Sequence, residues 1–353
     1  MSPTLSPEHR LRTAWQSRGP LAWALWPLSL LFGAVAAVDR RKQARRTQRL
    51  PVPVIVIGNV VAGGAGKTPT TLAVVRHLQA RGWQPGIVSR GYGRAAGEGA
   101  AGAPQEVTPT SDPRTVGDEP LLLRQRVGVP VFVAAQRADA GRALLAAHPG
   151  VDILVCDDGL QHLKLTRDVE IAVFDRRGIG NGWHLPAGPL REPWPRPVDW
   201  VLRTEPSPPL ALPPGAQAFE ATRALAPDAV RADGSTVPLA ALRGPATRLV
   251  AVAGIARPEA FFDMLRAGGL TLHDTVALPD HYDFNSWQRP PDKRETLICT
   301  EKDALKLWRH DPAALAVPLV LDVPAAFFTA LDGRLAAQGY HPRHTTAPAP
   351  RTP

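Results

Sequence analysis

Residues 52–71 read VPVIVIGNVVAGGAGKTPTT, and this stretch decides the fold class. Val52 to Gly58 is an apolar, β-branched run without polar alternation, the pattern of a strand buried on both faces of a parallel sheet. Gly63, Gly64 and Gly66 follow, interleaved with Val61, Ala62 and Ala65. So glycine-rich a segment can curl tightly and turn successive N–H groups toward one anion. Lys67 then offers a cation to the β/γ-phosphates of a nucleotide, and Thr68 offers a hydroxyl to Mg²⁺. From Thr68 to Arg81, apolar Leu72, Val75 and Leu78 recur at helical spacing. The N-terminus of that helix would point at the phosphates. Strand, loop and helix come in the order that phosphate binding requires. We therefore expect an α/β fold with a P-loop NTPase core and a mainly parallel sheet, with a nucleotide held along Val61–Thr68.

The strict pattern G-x-x-x-x-G-K-[ST] wants glycine at position 61, where Val61 stands. GGAGKT resembles the deviant loops of membrane-associated and metal-delivery NTPases. Ala62 occupies the place where many of those carry a signature lysine. A glycine-rich turn that binds nothing leaves the flanking strand and helix unexplained.

Val151 to Cys156 forms a second buried run and ends in Asp157-Asp158-Gly159. A carboxylate at the C-terminal edge of a strand beside a P-loop is the usual partner for Mg²⁺. Adjacent carboxylates on an extended chain point to different sides, so one would face the metal and the other act through water or order the loop. Val116-Gly117-Asp118-Glu119-Pro120 opens a helix that runs on through Leu121–Leu123. Acidic residues there serve equally as caps and dipole partners, or as a base and a metal ligand. His281, in Leu278-Pro279-Asp280-His281-Tyr282, is a lone histidine whose ordinary pKa suits proton transfer from a hydroxyl. Spacing alone does not bring residues 118 and 281 together.

The remaining 303 residues outside 1–50 carry little net charge. The chain has 353 residues and a formal charge of +9, and residues 1–50 hold nine basic side chains against Glu8 and Asp39. That segment is therefore +7 and the body +2, which argues against nucleic acid as a partner. Leu21 to Val38 (LAWALWPLSLLFGAVAAV) is uncharged and, as a helix, spans about 27 Å. Trp23 and Trp26 lie near one end, and RRKQARR follows Asp39. A cleaved signal peptide would have a shorter apolar core and no basic cluster behind it. A buried soluble helix is a second alternative. We read an uncleaved membrane anchor with a basic collar for anionic lipids, leaving the body cytoplasmic. Pro27 and the length leave spanning and embedding both open. The two cysteines, Cys156 and Cys299, end apolar runs and form no disulfide framework.

Strand-like runs recur at 52–58, 85–89, 129–134, 151–156, 171–174 and 198–203, and residues 95–115 read as a loop. The proline-rich 205–215 suggests a boundary. The expected division is an anchor and collar over 1–50, a P-loop kinase core over 51–215, and a linker or β-ribbon over 216–246. A smaller C-terminal α/β domain follows over 247–340, then a disordered tail over 341–353. Within 247–340 we expect strands at 248–253, 296–300 and 317–321 and helices at 258–267, 303–309 and 325–337.

Several word strings appear in order: GNVVAGGAGKTP (58–69), SRGYGR (89–94), VGDEP (116–120), DDGLQH (157–162), GNGWHLPAGPLREP (180–193), PDHY (279–282) and TEKDALKL (300–307). In these the chain resembles the tetraacyldisaccharide 4'-kinase family, the lipid A 4'-kinases, over about residues 15–335. The resemblance implies transfer of the γ-phosphate of ATP to the 4'-hydroxyl of an acylated glucosamine disaccharide 1-phosphate at the cytoplasmic face of the bacterial inner membrane. It implies a catalytic pair at Asp118 and His281 beside Lys67. It also implies Mg²⁺ held around Thr68, Glu119, Asp157 and Asp158. The partners expected are the lipid acceptor and anionic membrane lipids, with the chain acting as a monomer. The rival readings are a membrane-recruited P-loop ATPase switch, a metal-delivery NTPase, and a basic membrane adaptor. Thr300-Glu301-Lys302-Asp303 has the residues of a guanine-reading string in the wrong spacing, and no Cys/His cluster suggests metal cargo.

Overall fold

The computed structural model describes residues 13–91, 102–244, 247–289 and 295–343. Its elements follow the apolar pattern closely. Helix α1 (Pro20–Ala44) precedes β1 (Val54–Gly58) and α2 (Lys67–Ala80). Then come β2 (Pro85–Ser89), β3 (Gln105–Glu106), α3 (Pro113–Val116), α4 (Asp118–Val127), β4 (Val131–Val133) and α5 (Arg137–Ala147). β5 (Ile153–Asp157), β6 (Val169–Phe174), β7 (Trp200–Arg203) and β8 (Gln217–Glu220) complete the first sheet. Its order is β3-β4-β2-β5-β1-β6-β7-β8, parallel throughout except for β3 at the edge. The phosphate-loop strand β1 thus lies between β5 and β6. Its alternating side chains feed two cores: Ile55 and Ile57 face one, Val54 and Val56 the other. Burial on both faces is what the unbroken apolar run encodes.

The chain then leaves this sheet through β9 (Thr222–Leu225), and builds a second one. That sheet comprises the hairpin β10 (Asp228–Val230) and β11 (Thr236–Pro238), then β12 (Arg248–Ala253), β13 (Leu272–Ala277), β14 (Glu295–Thr300) and β15 (Leu315–Val317). Its order is β11-β10-β15-β14-β12-β13. Helices α6 (Pro258–Ala267) and α7 (Glu301–Leu307) accompany it. The chain returns through β16 (Leu319–Asp322), which pairs antiparallel with β9 from Leu319↔Leu225 to Asp322↔Thr222. It ends in α8 (Ala325–Ala337).

Four sequence expectations change here. Residues 216–246 are no single ribbon: β8 is the eighth strand of the first sheet, β9 pairs with distant β16, and the β10–β11 hairpin joins the second sheet. The stretch 317–321 is two strands rather than one. β13 was not anticipated, because at the sheet edge it is half exposed and its LHDTVA carries polar residues. Helix α8 does not stay with the second sheet, since Phe327, Leu331 and Leu335 enter the core of the first. Phe327 meets Trp200 and Phe219 at 5.8 and 5.4 Å. Part of the 95–115 stretch, residues 95–101, lies outside the described residues, as does the tail from 344. What is described of 95–115 holds β3 and α3.

Helix α1 runs beyond the uncharged stretch into the basic cluster, with Pro27 inside it. It is long and apolar enough to cross a membrane by length and composition. Leu21, Leu28, Leu30, Leu31, Val35 and Val38 are exposed. The opposite side rests on the 180–187 loop. The Ala187 N–H donates to Ser29 Oγ at 2.9 Å, and Trp23 meets Trp183 edge-on at 4.8 Å. At the other end, the Leu163 N–H donates to Gln43 Oε1 at 3.1 Å. Both ends of α1 therefore touch the same body.

Candidate active site

The C-terminal edges of β1 and β5 converge on the glycine-rich loop, as crevices in open α/β sheets do. Gly66 caps α2 with φ of +91°, a left-handed conformation that suits glycine. A Cβ there would also come within 2.7 Å of Arg223 Nη2. Lys67 opens α2, and its Nζ reaches Asn59 Oδ1 at 3.4 Å and Asp158 Oδ1 at 3.5 Å. Thr68 is buried beside it. Val61, Ala62, Gly63, Gly64 and Ala65 form the rest of the loop, and Ala62 N–H donates to Pro189 O at 2.8 Å.

Asp157 and Asp158 separate as adjacent carboxylates on a strand end should. Asp157 is fully buried and accepts the Thr71 hydroxyl at 2.9 Å on Oδ1. Its Oδ2 has no partner among the described residues. Burial, followed by the charges of Glu119 and Asp158, pushes its carboxyl up to about 7. Asp158 sits at φ 51° and accepts from Arg191 at 3.0 Å. Burial would raise its pKa, but Lys67 and Arg191 outweigh burial and hold it below the ordinary range.

Asp118 and Glu119, neighbours at the start of α4, point to two different partners. Asp118 Oδ2 is 3.0 Å from His281 Nδ1 and accepts from Lys306 Nζ at 2.8 Å. Gly117 precedes the helix without a side-chain cap, so the Asp118 carboxylate is committed to these two groups. Burial pushes Asp118 upward, yet the bonds to His281 and Lys306 more than offset it. Glu119 pairs with Lys302, whose charge holds it below the usual carboxylate range. Glu119 also feels the charges of Lys67 and Asp158, which ties α4 to the phosphate loop. Among the described residues, no three His, Cys, Asp or Glu side chains group closely enough to ligate a metal as they stand.

His281 sits on a turn after β13 with φ 61°, a strained conformation for a non-glycine residue. Its N–H donates to Gly254 O at 3.0 Å, and Gly254 N–H donates to Asp303 Oδ2 at 3.1 Å. Helix α7 thus fixes His281 through Gly254. The same helix carries Lys302 and Lys306, which spacing of four puts on one face. Neither lysine was singled out from the sequence, although both lie inside TEKDALKL. In that string Thr300 caps α7, Glu301 pairs with Arg126, Lys302 pairs with Glu119, and Asp303 holds Gly254. Arg191 was likewise passed over within PLREP. His162, in DDGLQH, is pushed down to about 3, by burial first and then by Arg137 and Arg90, and so stays neutral.

The His281 pKa is raised, first of all by the hydrogen bond to Asp118. Asp118→Asn removes the charged acceptor, so the His281 titration midpoint should move down, toward or below the ordinary 6.5. Histidine-selective NMR titration of the two proteins checks this; an unmoved midpoint would show that the 3.0 Å contact does not govern His281. A raised folded-state pKa stabilises the fold below the unfolded value, and this contribution is lost as pH rises through the folded pKa. His281 is 41% exposed, so solvent screening keeps that contribution small.

Comparison with known proteins adds to this geometry. A family model described as tetraacyldisaccharide-1-P 4'-kinase matches residues 21–336. A protein of Acidovorax sp. (strain JS42) named tetraacyldisaccharide 4'-kinase is 62% identical over 331 residues, covering 93% of this chain and 95% of that protein. One of the same name from Delftia acidovorans is 54% identical over 331 residues, with the same coverage. Among solved structures, LpxK from Aquifex aeolicus, crystallised in complex with ATP, superposes with a TM-score of 0.77 at 25% identity, covering 91% of this chain and all of that one. The match spans the phosphate loop, both sheets and the returning α8, and the chain belongs to the tetraacyldisaccharide-1-P 4'-kinase family.

Proposed function

We infer that this protein is an ATP-dependent kinase that phosphorylates the 4'-hydroxyl of a tetraacylated glucosamine disaccharide 1-phosphate, forming lipid IVA in lipid A biosynthesis. The observation that carries the reading is the contact of Asp118 with His281 at 3.0 Å, next to Glu119, in a body whose glycine-rich loop sets Lys67 3.5 Å from Asp158. In this reading the acceptor hydroxyl binds at the dyad and the nucleotide phosphates at the loop. Phosphoryl transfer asks mainly for in-line positioning and charge neutralisation. Lys67 and the loop amides supply positive potential. His281, oriented by Asp118, takes the hydroxyl proton, and Lys306 holds Asp118 ionised.

We assign a Mg²⁺ site to Thr68, Glu119, Asp157 and Asp158. Its support is the unpartnered, buried Asp157 Oδ2 and the mutual repulsion of the three carboxylates, which a cation relieves. Mg²⁺ bound there supplies neutralisation of the phosphate charge. We propose that the body works at the cytoplasmic face of the inner membrane, a reading supported by helix α1 and the basic residues at its end. Because both ends of α1 rest on one body, we propose that it embeds in the lipid surface rather than crossing it. The basic collar meets anionic head groups or the sugar 1-phosphate. One chain supplies every group assigned, and a monomer suffices.

Measuring ATP consumption with and without the acylated disaccharide 1-phosphate in vesicles tests the function. Turnover is expected only with the acceptor, with the phosphate appearing on the 4'-oxygen. ATP hydrolysis indifferent to the acceptor would overturn the kinase reading.

A further inference from the structure

The phosphate loop is fastened from its outer side. Four successive carbonyls each accept a hydrogen bond from a side chain of the body. Ala62 O accepts from Arg177 Nη1 at 3.2 Å, and Gly63 O accepts from Asn59 Nδ2 at 3.0 Å. Gly64 O accepts from Arg177 Nη2 at 2.8 Å, and Ala65 O accepts from Thr204 Oγ1 at 3.3 Å. In a planar trans peptide, the carbonyl of one residue and the N–H of the next point in opposite directions. Tying back the carbonyls of residues 62–65 therefore aims the amides of Gly63, Gly64, Ala65 and Gly66 to the other side. Among the described residues, those four amides donate to no protein acceptor.

Arg177 holds two of the four carbonyls with one guanidinium. Its remaining Nε donates to both oxygens of Asp175 at 3.0 Å, and its own N–H donates to Asp175 Oδ1 at 3.0 Å. Asp175 is fully buried at the end of β6. The fork is thus locked to a rigid strand before it reaches the loop. A planar guanidinium can span two carbonyls two residues apart, which an ammonium on a flexible stem does not do. We propose that Arg177 is a positioning residue for ATP: it clamps the carbonyls of Ala62 and Gly64 outward and so pre-sets the loop amides for the triphosphate. Arg177 acts through the loop and needs no contact with the nucleotide.

This inference rests on the nucleotide-binding reading, and the experiment separates the two. Binding of a non-hydrolysable ATP analogue is measured by calorimetry on the full chain. If the wild-type protein does not bind, the nucleotide reading fails. If it binds, Arg177→Ala is expected to weaken binding roughly 10- to 100-fold, about the worth of one bond from a charged donor, because Asn59 and Thr204 still hold the loop. KM for ATP should rise by a similar factor, with kcat at saturating ATP and KM for the lipid acceptor changed far less. Arg177→Lys keeps the charge without the fork and should bind as poorly as Arg177→Ala. Wild-type affinity in folded Arg177→Ala overturns the clamp. Full recovery in Arg177→Lys also overturns it, because charge alone would then account for the effect. Should Arg177→Ala not fold, Arg177→Lys decides by itself.

Discussion

Lys67→Ala is expected to lower kcat by about 10²- to 10³-fold, the usual consequence of deleting one preorganised donor at a site of developing charge. The fold should survive. Lys67 lies at the first position of α2, where alanine is a good helix former, and its partners keep others. Asp158 retains Arg191 at 3.0 Å, and Asn59 retains its bond to Gly63 O. What is lost is a cation 3.5 Å from Asp158 and within the field of Glu119 and Asp157. With it gone, three carboxylates face the phosphates with less compensation, so the penalty falls on the nucleotide's charge rather than on packing. Steady-state kinetics on variant protein with an unchanged thermal midpoint is the measurement. Near-normal kcat in such a protein would remove the phosphate-loop assignment.

The two halves of the site differ in how they are written in the sequence. The phosphate loop is local: strand, glycines, lysine and helix lie within residues 52–81, and each has a steric or electrostatic reason visible in the string. Strands buried on both faces, such as β1 and the Leu249–Ala253 part of β12, show as unbroken apolar runs. The acceptor side is non-local. Asp118 and His281 meet across 163 residues, and Lys306 reaches Asp118 across 188. No periodicity encodes such a pairing, and only the resemblance to a family suggested the first of them. Arg177 was missed for a further reason. Its partners on the loop are backbone carbonyls, which leave no signature in residue type. The β9–β16 ribbon escaped similarly, since its two strands are short, half exposed and far apart in the chain.

Asp118 and His281 should behave as one unit, and this gives the second large effect. If His281 accepts the hydroxyl proton and Asp118 orients it, either single substitution removes the same assistance, worth about 10²- to 10⁴-fold in kcat. Asp118→Asn with His281→Ala should then be only slightly worse than the poorer single variant, as for other residues that act together. Binding of ATP should change little in all three, since neither side chain touches the loop. Asparagine is the better choice at 118. Asp118→Ala would leave Lys306, whose side chain is 9% exposed, without its carboxylate, and stripping one partner from a buried pair costs about 3–5 kcal/mol. That loss of stability could be mistaken for a loss of chemistry. Glu119→Ala should differ in kind, with a defect partly relieved by raising Mg²⁺, because its carboxylate faces Lys302 and the loop rather than His281. The competing account, in which Asp118 merely caps α4, predicts about 1 kcal/mol of lost stability and little effect on kcat. Single-variant defects that multiply in the double variant would dissolve the dyad, leaving Asp118 and His281 as independent contributors on either side of a 3.0 Å contact.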